Sequence, residues 1–350
     1  MTQIFADFFK EKASSTRPLK MKHINIPIFF PQRSCPHQCV FCNQHSISSR
    51  RFMPADAEIL HTIDQHLQTC GNDVEVQIAF FGGTFTAMPF NEQKHYLQLV
   101  QPYVQSGKVQ SIRISTRPDY IDEKILAMLK SYSVLDIELG AQSTNDEVLQ
   151  KSGRGHTFAH IANAAQLIRN HGFQLGLQMM IGLPGDTAGI ALQTAQTICD
   201  LGAHSTRIYP TLVVEHTPLA ELYKKGLYTP LSLDQALEWT APVYQLLENA
   251  GVQILRVGLH PSSDLDGGAL LAGAYHHSFK ELLLSHIWRG IFQREITGHC
   301  EHLHIEVAPS QLNFAIGHGA SNRNFLEKNA KNVTFAGNSL LLRYEYKIRK

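Results

Sequence analysis

The stretch Glu75-Val76-Gln77-Ile78-Ala79-Phe80-Phe81-Gly82-Gly83-Thr84 is a run of strand-forming residues that stops at two glycines and a small polar residue. Residues 91–104 behind it have helical spacing, and the unit then repeats. Residues 109–115 predict a strand ending in Thr116-Arg117-Pro118-Asp119, followed by a helix over 122–130 with Ile125, Leu126 and Leu129 on one face. Residues 134–139 predict a strand ending in Gly140-Ala141-Gln142-Ser143, then a helix over 158–170 closed by Gly172, a left-handed stop. Residues 173–181 predict a strand ending in Gly182-Leu183-Pro184-Gly185, then a helix over 187–200; a strand over 204–209 ends at Pro210. Upstream, residues 24–30 predict a first strand, with Pro27 suggesting an edge or bend, and residues 56–69 a helix capped by Asp56.

Short strands alternating with helices of roughly ten to fifteen residues mean βα units and a parallel sheet. About six units before residue 215 predict an α/β barrel or open partial barrel. In such folds the loops after the strand C-termini build the site. Beyond it, residues 218–226 predict a short helix, and Ser232 with Gln235 a capping box that opens a helix running to Gly251. Residues 254–257 read as a further strand, 258–273 as loop and 278–293 as helix. A different segment follows, with a strand at 304–307, a helix near 321–329 and strands near 333–335 and 340–346. The expected organisation is a lead-in over 1–22, a barrel with flanking helices over 23–290 and a small C-terminal α/β extension over 291–350.

At 350 residues, with 43% hydrophobic and 17% charged residues, the chain reads as globular rather than disordered. The formal net charge of +1 gives no overall field toward nucleic acid or membrane. Residues 1–20 are mixed polar, unlike a secretory leader, and no run reaches the roughly 18 apolar residues of a membrane span, so no membrane partner and a cytoplasmic location are expected. Six cysteines are present; Cys70, Cys199 and Cys300 are scattered and read as packing residues. The other three form Cys35-Pro36-His37-Gln38-Cys39-Val40-Phe41-Cys42, a C-x3-C-x2-C loop directly after the first strand. Three thiolates on one short loop suit a soft metal or an iron–sulfur cluster, one ligand short of a closed site. Zinc is one completion, with His45 as fourth ligand and His37 nearby.

The cysteine spacing and the strand-end motifs together resemble the radical S-adenosylmethionine (SAM) enzymes. The resemblance implies a partial (β/α)6 TIM-like barrel in which Cys35, Cys39 and Cys42 ligate three irons of a [4Fe–4S] cluster and the fourth iron binds SAM. It implies that Phe41 packs by the adenine and that Gly82-Gly83-Thr84 contacts the SAM amino group. It places Gln142 near the ribose, Arg154 at the SAM carboxylate, and Gln178 where related enzymes often make a polar ribose contact. The stretches Phe81-Gly82-Gly83-Thr84-Phe85, Thr116-Arg117-Pro118-Asp119-Tyr120, Glu138-Leu139-Gly140-Ala141-Gln142-Ser143, Arg154-Gly155-His156-Thr157 and Tyr209-Pro210-Thr211-Leu212-Val213-Val214 are similar to the radical SAM domain of the Elongator catalytic subunit. That similarity implies an electron donor such as flavodoxin or ferredoxin and tRNA as substrate.

Two positions depart from the pattern: Ser115 stands where relatives have glutamate, and Arg207 where the Elongator subunit has lysine. The roughly sixty residues after 290 are too few for an acetyltransferase domain, so a short stand-alone relative is expected. Arg117 either contacts SAM or substrate, or pairs with Asp119 or Asp122. Tyr209 either lines the substrate cavity or closes the barrel. Glu138 reads as an internal pair partner, and Met179 and Met180 as core. Lys224, Lys225, Lys347, Arg349 and Lys350 read as solvated surface, with RNA contact as the alternative. The competing functions are a radical SAM enzyme on a small molecule, of the coproporphyrinogen dehydrogenase type, and a non-catalytic zinc or iron–sulfur module.

Overall fold

The computed structural model describes residues 22–30, 35, 38–43, 52–71, 73–263 and 265–350. The polar lead-in up to residue 21, His37 and His45 lie outside them. The fold rests on parallel strands β1 (Lys22–Phe30), β2 (Val74–Gly82), β3 (Ser111–Thr116), β4 (Val134–Gln142), β5 (Gln174–Ile181), β6 (Ser205–Pro210) and, after a short β7 (Leu212–Val214), β8 (Gln253–Val257). Strands β1 to β6 and then β8 pair in sequence order in one seven-stranded sheet that curls into a half-barrel. The α/β partial barrel expected from the motifs is therefore present. It runs one strand past six because β8 pairs in parallel with β6.

Each strand alternates between two faces. Ile26, Ile28 and Phe30, then Ile78 and Phe80, Ile112 and Ile114, Ile137 and Leu139, and Leu175, Leu177 and Met179 are buried in one apolar core. The intervening positions carry Gln77, Arg113, Asp136, Glu138, Gln178 and Arg207, so the opposite face is polar. This two-residue period separates a helix-packed exterior from an interior that receives the chemistry. Met179 and Met180 are both buried, as their sequence context suggests; Met180 falls on the inward face, in a small apolar cluster with Val148 and Leu183, and also borders the cleft described below.

Helices α1 (Asp56–Thr69), α2 (Phe90–Leu99), α3 (Gln101–Gln105), α4 (Glu123–Ser131), α5 (Asp146–Lys151), α6 (Phe158–Asn170) and α7 (Ala188–Asp200) follow β1 to β5. Asp122 caps α4 by accepting from Ile125 N. Asp56 is not the cap of α1: Ala55 holds that position without a side-chain bond, and the Asp56 carboxylate instead meets His95 Nε2 at 2.9 Å. The helix expected over 91–104 is two pieces, because Pro102 lacks an N–H and starts a new turn. α8 (Pro218–Lys224) and α9 (Leu233–Asn249) come next, the latter with the Ser232–Gln235 capping box in place.

The segment expected to be loop over 258–273 contains β9 (Leu270–Gly273), antiparallel to β7. α10 (Phe279–Glu295) contributes Leu283, Leu284 and Ile287 to the large core and Trp288, Ile291 and Phe292 to a smaller one. A three-stranded sheet completes the smaller core: β10 (Cys300–Val307) lies between parallel β11 (Ala330–Gly337) and antiparallel β12 (Tyr346–Arg349), with α11 (Leu312–Ile316) and α12 (Ser321–Leu326) between β10 and β11. The strand expected over 340–346 is instead a turn: Leu340 N and Leu342 N bond Asn338 Oδ1 and Glu345 Oε2, and Arg343 reaches Glu248 on α9 at 2.8 Å. Among the described residues no helix is long and apolar enough to cross a membrane.

One backbone contact fixes the end of β2. Gly82 has φ +107°, Gly83 N donates to Phe30 O at 2.9 Å, and a Cβ on Gly82 would run into that same carbonyl. Gly82→Ala is therefore expected to cost at least about 2 kcal/mol, from left-handed strain plus the clash with β1. Urea unfolding checks this, and an unchanged midpoint would show that the β1–β2 ends are free to separate.

Candidate active site at the strand C-termini

The inward face of the sheet carries a buried ion network. Arg113 on β3 donates from Nε to Gln77 Oε1 (2.7 Å), from Nη2 to Asp136 Oδ1 (2.8 Å) and from Nη1 to Glu138 Oε1 (2.7 Å). Arg207 on β6 meets the same Glu138 from the other side, Nε to Oε2 at 2.8 Å and Nη2 to Oε1 at 3.1 Å. Between them lies β5, where Gly176 is in register with Glu138. A Cβ on Gly176 would come within 2.8 Å of Glu138 Cγ, so the missing side chain lets Arg207 reach across. Burial pushes the Glu138 carboxyl up, but Arg207 and Arg113 outweigh it and hold it below the usual range. The Phe81 ring lies 4.9 Å from the Arg207 guanidinium. Glu138 is thus the internal pair partner that its sequence context suggested.

Above this floor the strand ends converge on a cleft of about 660 Å³. The loop after β1 brings Cys35, Cys39, Phe41 and Cys42 to it, and the end of β2 brings Gly82, Gly83 and Thr84. Arg117 enters after β3, Gln142 at the end of β4 and Arg154 from the α5–α6 connection. Gln178 and Tyr209 complete the set from β5 and β6, so every sequence-predicted site residue borders the one cleft. Ser115 and Arg207, the two departures, are on its wall as well.

The cysteine loop is tied to the barrel by backbone bonds, Val40 N to Ser152 O (3.1 Å) and Leu219 N to Val40 O (2.8 Å). Cys35 Sγ lies 3.3 Å from Thr84 Oγ1. Arg154 donates from Nη1 to Cys39 Sγ at 3.0 Å and from Nη2 to Gly140 O, while its buried Nε has no partner. Gln142 has φ +69°, rare for a residue with a side chain, at the register shift between β4 and β5; its Oε1 accepts from Gln178 Nε2 at 3.2 Å. Arg117 does pair with Asp119, bidentately at 3.0 and 2.9 Å, and Asp122 is occupied in capping α4. The buried Nη1 of Arg117 is still left without a partner. His156 is held neutral, its pKa pushed down to about 3 by burial and by Arg154 and Arg117. Burial likewise raises the Tyr209 hydroxyl.

These residues fit the groups that the motifs imply. Three soft sulfur donors edge the cleft, and two buried guanidinium N–H groups have no protein acceptor, so they are free to meet a ligand bearing oxygen or nitrogen acceptors. The thiols do not converge by themselves: among the described residues no three Cys, His, Asp or Glu side chains gather as a metal site.

The cleft also has a wall that sequence reasoning missed. Leu259, His260, Pro261 and Ser262, after β8, line it. Burial and then Arg256 and Arg207 push the His260 pKa down to about 4. The signal was present, since Gly258-Leu259-His260-Pro261 follows a strand just as the other site loops do.

The family model for the Radical SAM superfamily matches residues 29–198, and that for the Radical_SAM C-terminal domain matches 203–289. The tRNA uridine(34) acetyltransferase of Methanocaldococcus jannaschii is 26% identical over 255 residues, covering 61% of this chain and 47% of that protein. Elongator complex protein 3 of Homo sapiens is 25% identical over 279 residues, covering 72% and 50%. The chain spans about half the length of the curated relatives it matches. In fold it is similar to the archaeal Methanocaldococcus infernus Elp3 with its N-terminus deleted, with TM-score 0.60 and 19% identity over 81% of this chain and 66% of that one.

Glu138→Gln keeps the shape of the network and removes its shared negative charge. The expected loss of stability at pH 7 is about 3–5 kcal/mol, because two buried guanidiniums then face a neutral amide. The folded-state pKa of Glu138 lies below the unfolded one, near 4.3. The wild-type advantage is therefore complete above that pH and shrinks as pH falls through the folded-state value. Urea midpoints of both proteins from pH 7 to pH 3 test this; parallel profiles would refute the charge role.

Proposed function

This chain belongs to the radical SAM superfamily of enzymes, and from that premise we propose that it reductively cleaves SAM at a [4Fe–4S] cluster to begin a radical modification of tRNA. The observation that carries the reading is the shared cleft: three thiols from one loop face residues from the ends of β2, β4 and β5. When bound, the cluster supplies the electron that cleaves SAM to methionine and a 5′-deoxyadenosyl radical. In this reading Cys35, Cys39 and Cys42 hold the cluster.

The protein's own groups bind, orient and exclude water. The backbone at Gly82 and Gly83, with the Thr84 hydroxyl, receives the SAM amino group, where the absence of side chains allows close approach. The unspent Arg154 Nε–H and the Arg117 Nη1–H are buried donors for ligand oxygens, each such charge-assisted bond being worth about 1.5–3 kcal/mol. Gln142, turned by its left-handed backbone and held by Gln178, meets the ribose; Phe41 packs on the adenine. Tyr209, a phenol that burial pushes still further from ionising, faces the substrate as a hydrogen-bond donor. The apolar share of the wall, Phe29, Phe81 and Met180 among it, keeps the site dry.

Support for tRNA comes from relatives named as tRNA uridine(34) acetyltransferases. Because the match covers about half of those proteins, the acetyl-transfer part of their name is not carried over. The reading includes a flavodoxin or ferredoxin as electron donor and a cytoplasmic location. It assigns residues 23–290 to the cofactor-binding barrel and 291–350 to an appended unit.

Anaerobically reconstituted protein is expected to be brown and, with dithionite and SAM, to release 5′-deoxyadenosine. Cys39→Ala is expected to remove both the colour and the product. A colourless protein holding one zinc would sink the enzyme reading, and cleavage surviving in Cys39→Ala would overturn the cluster assignment. Retention of tRNA that weakens steeply with salt is the matching outcome for the substrate; no retention at low salt would point to a small molecule.

A further inference from the structure

The two edges of the half-barrel present different chemistry to the cleft. The cysteine loop hangs from β1, and the ends of β2, β4 and β5 carry the cofactor-binding candidates. At the other edge, Arg207 on β6 and Arg256 on β8 are register partners on adjacent strands. Arg113, Arg207 and Arg256 bring three positive charges to this interior, and Asp136 and Glu138 two negative ones. Both carboxylates are engaged by Arg113 and Arg207. Among the described residues the hydrogen bonds of Arg256 go to backbone carbonyls, Nε to Gly258 O and Nη2 to Leu259 O, both at 2.9 Å. Among the described residues no carboxylate pairs with it, and it is half-buried. Two of its five N–H groups are thus used to fasten the loop whose next residue, His260, lines the cleft. A half-buried guanidinium has lost part of its hydration, and an anion brought to it makes a charge-assisted contact.

We propose that this β6–β8 edge is an oxyanion subsite for the substrate, in which Arg256 supplies the charge and His260, on the loop that Arg256 fastens, a ring N–H, and that the oxyanion is a nucleotide phosphate. The phosphate assignment rests on the tRNA reading above; the excess positive charge does not. The subsite belongs to the edge of the sheet opposite β1, the strand from which the cysteine loop hangs. Arg207 does not serve as the anion's partner, because its charge is already paired with Glu138.

The test is calorimetric titration of the full chain with uridine 5′-monophosphate and with uridine, followed by competition with inorganic phosphate and with acetate. The monophosphate is expected to bind at least about tenfold more tightly than the nucleoside, as one charge-assisted contact provides. Arg256→Gln is expected to erase that preference while leaving uridine affinity in place, and Arg256→Lys to keep part of it. His260→Ala leaves both loop-fastening bonds of Arg256 intact and is expected to lower the preference several-fold. If Arg256→Gln shows no cooperative melt, His260→Ala decides, and an undiminished preference there overturns the subsite. Equal binding of nucleotide and nucleoside by the wild-type protein, or binding of neither, also overturns it. Acetate competing as well as phosphate overturns the phosphate assignment. Release of 5′-deoxyadenosine, measured on the same preparation, reports separately on the SAM-cleavage reading.

Discussion

Glu138 is the joint on which the barrel interior depends. A carboxylate on the middle strand of a curled parallel sheet is expensive to bury, and it is tolerated here only because two guanidiniums close on it from opposite sides. Arg113 reaches it from the neighbouring strand. Arg207 reaches it across β5, which is possible because Gly176 has no side chain to intervene. Three strands are thereby tied across the concave face, and the tie sets how closely β6 can approach β4. The cleft rests on this floor. Its chemistry is polar because the floor is ionic, and its walls stand where they do because the curl is held.

Above the floor, geometry is fixed by backbone rather than by side-chain packing. Gly82 occupies a conformation that a Cβ would forbid and abuts the Phe30 carbonyl, which places the end of β2 beside the cysteine loop. Gln142 takes a left-handed conformation at the β4 register shift and so turns toward Gln178. Arg154 lies across Cys39 with one donor unspent, and Arg117 lies against Asp119 with another. Unspent buried donors are strain in the free protein that a bound ligand relieves. At the far edge Arg256 is half-buried, and among the described residues no carboxylate pairs with it.

How much of this was legible depended on how far apart the partners lie in the chain. Asp122 at the start of α4, the Ser232–Gln235 box and the stop at Gly172 are local devices, each acting over about one helical turn, and each is where its residue type implies. The helix around Pro102 and the cap of α1 went astray over a few residues, because Asp56 had a longer-range partner in His95 that nothing local announces. The turn over 340–346 was read as a strand for a similar reason: its apolar run is overridden by Asn338, Glu345 and the reach of Arg343 to α9.

The sequence by itself determined the alternation of strands and helices and the polar stops at each strand end, which follow from periodicity and from residue types whose conformations are restricted wherever they occur. The family resemblance of the motifs at those stops pointed to many of the residues that meet in the cleft, though not to Leu259 through Ser262. Only the tertiary structure decided that β8 extends the sheet, that β7 and β9 pair, that Arg154 lies on Cys39 and that Arg256 fastens the loop after β8. The first three are outcomes of closure between residues tens of positions apart. Their energies depend on which side chains the curl of the sheet brings within hydrogen-bond reach, and no local pattern encodes that distance.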